Sequence, residues 1–351
     1  MDTGDQSMTI TISNKKISKR APIFIIAEAG VNHNGSLQHA LKMIDAAAQA
    51  GADAVKFQTF KAEEVVSRVV STKSGYRKAG QFKMLKKLEL KQEFYQPIIK
   101  HCKKKNIIFL STPHGGFSSV DFLESLHIPA FKFGSGDLTN LPLLLYTAKF
   151  KKPIILGTGI STAAEVEEAI ECIQSVGNKK IIILHCTTHY PCPVNEVNLR
   201  AMQIMMRNRD VLVGYSDHTL GDQVSTMAAT LGACVIEKHF TLDKNMSGPD
   251  QKASMSPVEL KNIIDKIRKV EIILGSDIKQ PSRYEIIMKK IVRKSLVALQ
   301  NIKAGDIFVQ ENLGMKRPGT GLAPKMYFKI LGKKAKRNIS LDSLIKKSDY
   351  V

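Results

Sequence analysis

Short apolar segments alternate with longer stretches of helical periodicity along most of the chain. The first apolar segment spans residues 23–30, and apolar side chains then recur at helical spacing over residues 36–50. Ser36 is suited to the N-cap of this helix and Gly51 to its end. Further apolar segments follow at residues 54–60, 107–113, 130–136, 153–159, 181–187, 211–219 and 234–240.

The eight apolar segments and the helical stretches between them read as repeated strand–helix units. Strands that are apolar throughout and separated by helices indicate a parallel sheet covered on both faces. Eight such units predict an α/β fold of the TIM (β/α)8 barrel type, with an open doubly wound sheet as the alternative. The last helix of the barrel is predicted over residues 257–274.

Polar side chains gather at the C-terminal ends of the predicted strands. In TIM barrels the catalytic residues lie at this end, whereas a purely structural barrel has no need of acids, bases and hydroxyls there. The pattern therefore predicts an enzyme. The polar strand-end residues are Glu28, Lys56, Gln58, Ser111, Thr112, Lys132, Ser135, Thr158, His185, Ser216, His218, Lys238 and His239.

Two lysines, Lys56 and Lys132, stand inside otherwise apolar strands. A lysine at such a position can bind a phosphate or a carboxylate. A surface lysine is the alternative, and the apolar residues on both sides argue against it. The Gly-Ser-Gly-Asp turn after Lys132 offers backbone N–H groups and the Ser135 hydroxyl to an oxyanion. These features together favour an anionic substrate.

His218 and His239 are the candidate metal ligands, because each follows a strand and the two strands are neighbours in a barrel. Two imidazoles at one end could hold a divalent ion such as Mn²⁺ and leave positions open for substrate oxygens. A satisfied core histidine is the alternative at each position. His185 and His189 are weaker candidates and are not included.

A second, smaller unit is predicted after the barrel, where the pattern becomes polar over residues 276–285. Residues 295–308 read as a strand, a turn at 303–306 and a second strand, and residues 331–351 are lysine-rich and strand-like. The predicted divisions are an N-terminal extension (1–22), the barrel (23–276), a linker (277–290) and a C-terminal domain (291–351). Residues 65–90 form a long insertion, either a lid over the site or a solvated loop.

The formal net charge is +20 at pH 7, with lysine and arginine spread along the chain. Such a charge favours anionic partners, and a phosphorylated or carboxylated small substrate fits it. No recognition motif for nucleic acid accompanies the charge, so nucleic acid is not expected as a partner.

The five cysteines include no C-x-x-C pair, which indicates a reducing compartment and no zinc site. No apolar run reaches membrane-spanning length, and residues 1–20 lack the hydrophobic stretch of a signal peptide. We therefore expect a cytoplasmic protein with no membrane partner.

Several motifs, in their order along the chain, resemble those of the sialic acid synthase family, which includes bacterial N-acetylneuraminate, legionaminic acid and, more distantly, pseudaminic acid synthases. The motifs are AEAGVNHNG, AVKFQTFKA, FLSTP, KFGSGDLTNLP, HCTTHYP, VNLRAM, GYSDHT, IEKHFTLDKNMSGPD and KRPGTG. The resemblance extends from Ile23 to about Asn338. It implies a TIM barrel followed by an antifreeze-like SAF domain, and a homodimer in which each SAF domain caps the partner's barrel.

The activity that the resemblance implies is the condensation of phosphoenolpyruvate with an N-acetylmannosamine-type sugar and water, with release of phosphate by C–O cleavage. The product would be N-acetylneuraminate or N,N'-diacetyllegionaminate, and the resemblance leaves the two open. Another phosphoenolpyruvate-dependent aldose-condensing barrel (a pseudaminate or aldose-phosphate synthase) is one alternative. A non-catalytic sugar-binding protein is the other.

The resemblance also implies roles for residues at matching motif positions. The catalytic set would be Glu28, Lys56, Asp137 and Tyr190. The further substrate-binding set would be Thr112, Lys132, Ser135, Ser216, Asp250 and Arg317. His218 and His239 would bind a divalent metal, Mn²⁺ or Mg²⁺, and Arg317 would reach the N-acetyl group from the partner subunit.

Three positions depart from the pattern of many bacterial members of the family. Asp137 stands where many have glutamate, and Thr188 replaces an asparagine found in some. Gly157 stands where many have serine, so a hydroxyl near the phosphate is missing there. These departures affect the details of substrate binding rather than the class of reaction.

Overall fold

The computed structural model describes residues 8–66, 80–208 and 210–351. The chain divides into two compact units, Met1–Gly275 and Ser276–Val351. Among the helices in the described ranges, none is long and apolar enough to cross a lipid bilayer.

The first unit contains a short antiparallel hairpin and eight parallel strands. The hairpin strands are β1 (Ile10–Ile12) and β2 (Lys15–Ile17). The parallel strands are β3 (Phe24–Gly30), β4 (Ala54–Thr59), β5 (Ile108–Pro113), β6 (Phe131–Phe133), β7 (Ile154–Gly157), β8 (Ile181–His185), β9 (Leu212–Asp217) and β10 (Val235–His239). Their order is β5-β4-β3-β10-β9-β8-β7-β6, and β5 and β6 lie side by side. The sheet is a nearly closed barrel, which confirms the predicted TIM-type fold.

Helices separate the strands and pack around the barrel. They are α1 (Leu37–Ala50), α2 (Ala62–Val65), α3 (Gly80–Leu88), α4 (Tyr95–Lys104), α5 (Phe117–Ser125), α6 (Leu141–Ala148), α7 (Ala163–Ser175), α8 (Leu199–Met205), α9 (Gln223–Thr230) and α10 (Pro257–Leu274). The Ser36 side chain accepts a hydrogen bond from the His39 amide and caps α1, and Gly51 ends that helix at φ 88°. The structure therefore has the predicted N-cap residue, Ser36, and the predicted end of α1 at Gly51.

Alternate side chains of each barrel strand point inward and outward. In β3, Ile25 and Ala27 pack with the surrounding helices, whereas Phe24 and Ile26 belong to the apolar cluster inside the barrel. Glu28 continues the inward series toward the C-terminal end of the strand, and it is 1% exposed. The barrel interior is thus apolar at one end and polar at the other.

The N-terminal hairpin covers the apolar end of the barrel. Ile10, Ile12 and Ile17 are buried in the same cluster as the inward residues Phe24 and Ile26. The pattern of residues 1–22 gave no indication of this hairpin, because its two strands have only three residues each. Packing against the barrel, rather than local propensity, accounts for its stability.

The predicted insertion at residues 65–90 is described only in part, and residues 67–79 lie outside the described residues. After this gap, α3 turns Leu85 and Leu88 toward Val31 and Phe60, with which they form a small apolar cluster. At least the last part of the insertion is therefore packed on the end of the barrel that carries the polar residues.

The second unit contains α11 (Arg283–Val292), β11 (Ser295–Ala298), β12 (Leu313–Lys316) and α12 (Tyr327–Ile330). Part of the segment expected to be a linker, residues 277–290, is helical instead. The reason is local, since the Ser282 hydroxyl accepts from the Glu285 amide while the Glu285 carboxylate accepts from the Ser282 amide.

The predicted hairpin within residues 295–308 is wrong in its pairing. The strand β11 pairs with β12, while Ile302 and Ile307 form isolated bridges with Ile339 and Lys334 of the C-terminal tail. Burial accounts for the difference, because in the observed arrangement Leu296, Phe308 and Leu313 are buried in one common apolar cluster.

Candidate active site

The polar end of the barrel interior contains a network of two lysines and two carboxylates. Lys56 Nζ lies 2.9 Å from Glu28 Oε2 and 3.7 Å from Glu237 Oε2. Lys132 Nζ lies 3.3 Å from Glu237 Oε1, and Ser216 donates a hydrogen bond of 2.8 Å to the same oxygen. All five side chains are buried. Charges removed from water persist only when they are paired in this way.

The two carboxyl groups are electrostatically different. Burial raises the pKa of Glu28, although Lys56 opposes the effect. Burial would also raise the pKa of Glu237, but the charges of Lys132 and Lys56 outweigh it and hold that pKa at about 2. Glu237 is therefore a permanent anion between the lysines, whereas Glu28 is the carboxyl group suited to exchange a proton.

The lysines differ in the same manner. Burial would lower the pKa of Lys56, but the carboxylates of Glu237 and Glu28 outweigh it and raise that pKa. Lys132 has Glu237 as its carboxylate partner, and burial together with the charge of Lys56 lowers its pKa. Lys132 therefore gains most from a further anion, such as a substrate phosphate or carboxylate.

These groups line one cavity of about 210 Å³. Nine of the predicted site residues line it: Glu28, Lys56, Thr112, Lys132, Ser135, Tyr190, Ser216, His218 and His239. A larger cavity of about 560 Å³ lies beside the hairpin turn and α4, but none of the predicted site residues lines it. Chemistry rather than volume therefore identifies the candidate site.

Two imidazoles face each other across the cavity. The ring centres of His218 and His239 are 5.8 Å apart, and Tyr190 contacts both rings. His218 Nδ1 lies 2.6 Å from the Thr187 carbonyl oxygen, to which it donates, so the Nε2 lone pair faces Tyr190 OH at 3.0 Å. Burial and the neighbouring His239 lower the pKa of His218 to about 4, which keeps the ring neutral near pH 7.

This pair fits a divalent metal ion. A backbone carbonyl that fixes the tautomer of His218 is the usual second contact of a metal-binding imidazole. The Nδ1 atom of His239 is buried and has no hydrogen-bond partner among the described residues. The same residues include no cluster of three or more His, Cys, Asp or Glu side chains with metal-binding geometry. Further ligands would therefore come from substrate or water oxygens.

The other three predicted site residues, Asp137, Asp250 and Arg317, do not line this cavity. Asp137 is in the turn after β6, with Oδ2 3.7 Å from His114 Nδ1. Asp250 lies in the segment after β10, and its charge adds to the burial that raises the pKa of Tyr190. Arg317 follows β12 in the second unit and is exposed there.

The two units match two known families. A sequence profile of the NeuB family matches residues 43–279, and a profile of the SAF domain matches residues 293–351. The chain belongs to the NeuB family. The predicted SAF domain and the resemblance to sialic acid synthases are confirmed.

Relatives of this NeuB-family chain align over nearly its whole length. An N,N'-diacetyllegionaminic acid synthase from Campylobacter jejuni is 50% identical over 329 residues, which cover 92% of this chain and 98% of the relative. A protein of the same name from Legionella pneumophila is 44% identical over 346 residues, covering 93% and 96%. The crystal structure of N-acetylneuraminic acid (sialic acid) synthetase from Leptospira borgpetersenii in complex with citrate has a TM-score of 0.74 and 34% identity, and the match covers 80% of this chain and 95% of that one.

One central residue of this NeuB-family site, Glu237, was not predicted from the sequence. Glu237 was not named among the polar strand-end residues, whereas its neighbour Lys238 was named there, although not as a site residue. Lys238 does not line the cavity, because it points away from the barrel axis and pairs with Asp217 at 2.9 Å. The alternation of side-chain directions along the strand would have identified Glu237, since a residue two positions before His239 must point inward as well.

A hydroxyl and a thiol lie close together at the β6 side of the cavity. Ser135 Oγ lies 3.2 Å from Cys186 Sγ, and the Gly159 amide donates to both, at 3.0 and 3.1 Å. A Cβ atom at Gly157 would lie 3.2 Å from Ser135 Oγ. The glycine that departs from the family pattern therefore leaves room for the Ser135 hydroxyl in its present position.

Proposed function

We propose that this chain condenses phosphoenolpyruvate with an N-acetylated amino sugar and water, releasing phosphate, and that its product is N,N'-diacetyllegionaminate. The observation that carries the proposal is one cavity in which two buried lysines lie beside a pair of facing imidazoles. The names of its relatives support a sialic-acid-type product, and the two synthases named for N,N'-diacetyllegionaminic acid favour that sugar.

Phosphoenolpyruvate carries a phosphate and a carboxylate, for which the lysines are suitable partners. Lys56 and Lys132 would neutralise these charges, and the hydroxyls of Thr112, Ser135 and Ser216 would donate hydrogen bonds to the oxygens. Lys56 and Thr112 are already in contact, since the Lys56 ammonium donates a hydrogen bond to Thr112 Oγ1 at 3.1 Å. The walls of the barrel would exclude water and strengthen each contact.

His218 and His239 would hold a divalent ion, Mn²⁺ or Mg²⁺. When bound, such an ion supplies Lewis-acid polarisation of the aldehyde oxygen of the open-chain sugar. The C3 carbon of phosphoenolpyruvate would attack the aldehyde carbon, whose oxygen would take up a proton to become a hydroxyl. Water would add at C2, and the tetrahedral intermediate would lose phosphate by C–O cleavage. Glu28, with its raised pKa, would take a proton from the attacking water.

The sugar would be held by groups from both units. Asp137, Asp250 and Tyr190 would bind its polar substituents, and Arg317 would bind the carbonyl of an N-acetyl group. We propose a homodimer in which the second unit of one subunit caps the barrel of the other, so that Arg317 acts in trans.

A product assay tests the proposed function. The purified protein, Mn²⁺ or Mg²⁺ and phosphoenolpyruvate are incubated with N-acetylmannosamine or with the legionaminate precursor, which has a second acetamido group and a methyl in place of the C4 and C6 hydroxyls. We expect phosphate release and a nine-carbon acidic sugar, identified by mass, with preference for the precursor. Phosphate release only with an aldose phosphate would assign the alternative synthase class instead.

Mixing two inactive variants tests the arrangement in trans. Arg317→Ala and Lys56→Ala homodimers should each be inactive. Random exchange of subunits should restore about a quarter of wild-type activity, because half the dimers are mixed and each has one complete site. Activity that stays absent in mixtures with heterodimers confirmed by mass would contradict the exchange of domains, since a site built within one subunit remains broken in both.

A further inference from the structure

His114 lines the same cavity as the buried lysines, and the proposed reaction does not use it. The residue directly follows β5, and its amide donates to the Thr59 and Thr112 carbonyls at 2.9 and 3.1 Å, which fixes its backbone. Gly134 lies beside the ring, and a Cβ atom there would be 3.3 Å from His114 Cε1. A glycine at this position therefore gives the imidazole its space.

The ring stands near Asp137 without binding it. Nδ1 of His114 and Oδ2 of Asp137 are 3.7 Å apart, beyond hydrogen-bond distance. Asn140 contacts the same carboxyl group, which still has acceptor sites because a carboxylate offers about four. The side chains of His114 and Asp137 remain 32% and 19% exposed. Both therefore keep hydrogen-bonding capacity, His114 toward a molecule in the cavity that it lines and Asp137 toward a part of that molecule extending past the ring.

The charge state of His114 determines which group it suits. Burial and the charges of Lys56 and Lys132 lower the pKa of His114 to about 4. The ring is therefore neutral near pH 7 and offers one N–H donor and one acceptor nitrogen. It adds no third cation for the phosphate, and it is suited to an uncharged polar group.

A secondary amide is complementary to this pair. Its N–H can donate to the carboxylate of Asp137, and its carbonyl oxygen can accept from the N–H of His114. We propose that His114 and Asp137 bind the second acetamido group of the sugar, and thereby select a diacetamido sugar over N-acetylmannosamine. The proposal rests on the function proposed above, and it assigns to this pair a different acetamido group from the one bound by Arg317.

The test compares kcat/KM for the legionaminate precursor and for N-acetylmannosamine in the wild type and in His114→Phe. Phenylalanine keeps an aromatic side chain at this position but has no ring N–H to donate. We expect kcat/KM for the precursor to fall about 10- to 100-fold, because the acetamido carbonyl loses its hydrogen-bond donor inside the cavity. The value for N-acetylmannosamine should change less than about threefold. His114→Gln, which restores an N–H donor, should recover part of the preference.

His189→Phe is the matched control, because His189 is an exposed imidazole that pairs with Glu196 and does not line the cavity. Its ratio of the two kcat/KM values should equal that of the wild type. An unchanged ratio in His114→Phe, or an equal loss for both sugars, overturns the inference while leaving the proposed function intact. A wild type that prefers N-acetylmannosamine overturns it as well. A wild type that consumes neither sugar overturns the proposed function, and this inference with it.

Discussion

Replacing His218 or His239 by alanine is expected to lower turnover on the order of 10³-fold or more, even with excess Mn²⁺ or Mg²⁺. A bound divalent ion contributes several kcal/mol to the stabilisation of developing charge, and each substitution removes one of the two facing imidazoles. The barrel should remain folded, because both rings lie at its polar end rather than in the apolar core. Phosphate release measures turnover, and calorimetric titration with Mn²⁺ measures metal binding directly.

His189→Ala serves as the control here, since that imidazole is exposed and pairs with Glu196 at 2.9 Å. It should bind metal and turn over substrate like the wild type. Full activity of both cavity variants after exhaustive chelation would exclude these histidines as the metal site. Weakened titration without loss of turnover would assign them a metal that the reaction does not need.

Lys132→Met should lower kcat/KM for phosphoenolpyruvate by about 10²- to 10³-fold, because a preorganised cation in a dry site is lost. The variant also removes a close partner of Glu237, at 3.3 Å, so the free energy of unfolding should fall. Steady-state kinetics and chemical denaturation measure the two effects separately.

Lys238→Met provides a closely matched comparison. Lys238 is as buried as Lys132 and pairs with Asp217 at 2.9 Å, but it does not line the cavity. The free energy of unfolding of Lys238→Met should fall by an amount similar to that of Lys132→Met. Its kcat/KM per folded molecule should stay close to the wild-type value. The assignment of Lys132 to substrate binding would be untenable if the two variants showed the same kinetic loss per folded molecule.

The barrel could be predicted from the sequence because its strands are apolar without interruption, and the polar end of the interior could be predicted because those strands end on charged residues. The direction of individual side chains was harder to predict. Lys238 and Glu237 are adjacent and both charged, and only the register relative to His239 separates the inward carboxylate from the outward lysine. His114 was not predicted from the sequence, because the partner proposed for it, Asp137, lies in the turn after a different strand, β6.

In the second unit, the pairing of the strands could not be predicted from the sequence. Residues close in sequence suggested a local hairpin, but the partner of β11 is β12, and the tail supplies the bridges to Ile302 and Ile307. Pairing over such distances is decided by a shared apolar cluster rather than by turn residues. The role proposed for Arg317 would depend on a second subunit, and no hydrophobic or polar pattern within one chain predicts such a contact.

The hairpin at the apolar end of the barrel has a consequence for the order of synthesis. Ile10, Ile12 and Ile17 leave the ribosome before the barrel strands, but the cluster they join includes Cys234 and Val235, which are made much later. Until then these isoleucines lack part of their packing surface, and long-range contacts of this kind form slowly. The nascent chain should therefore present an apolar N-terminal segment to chaperones throughout translation of the barrel.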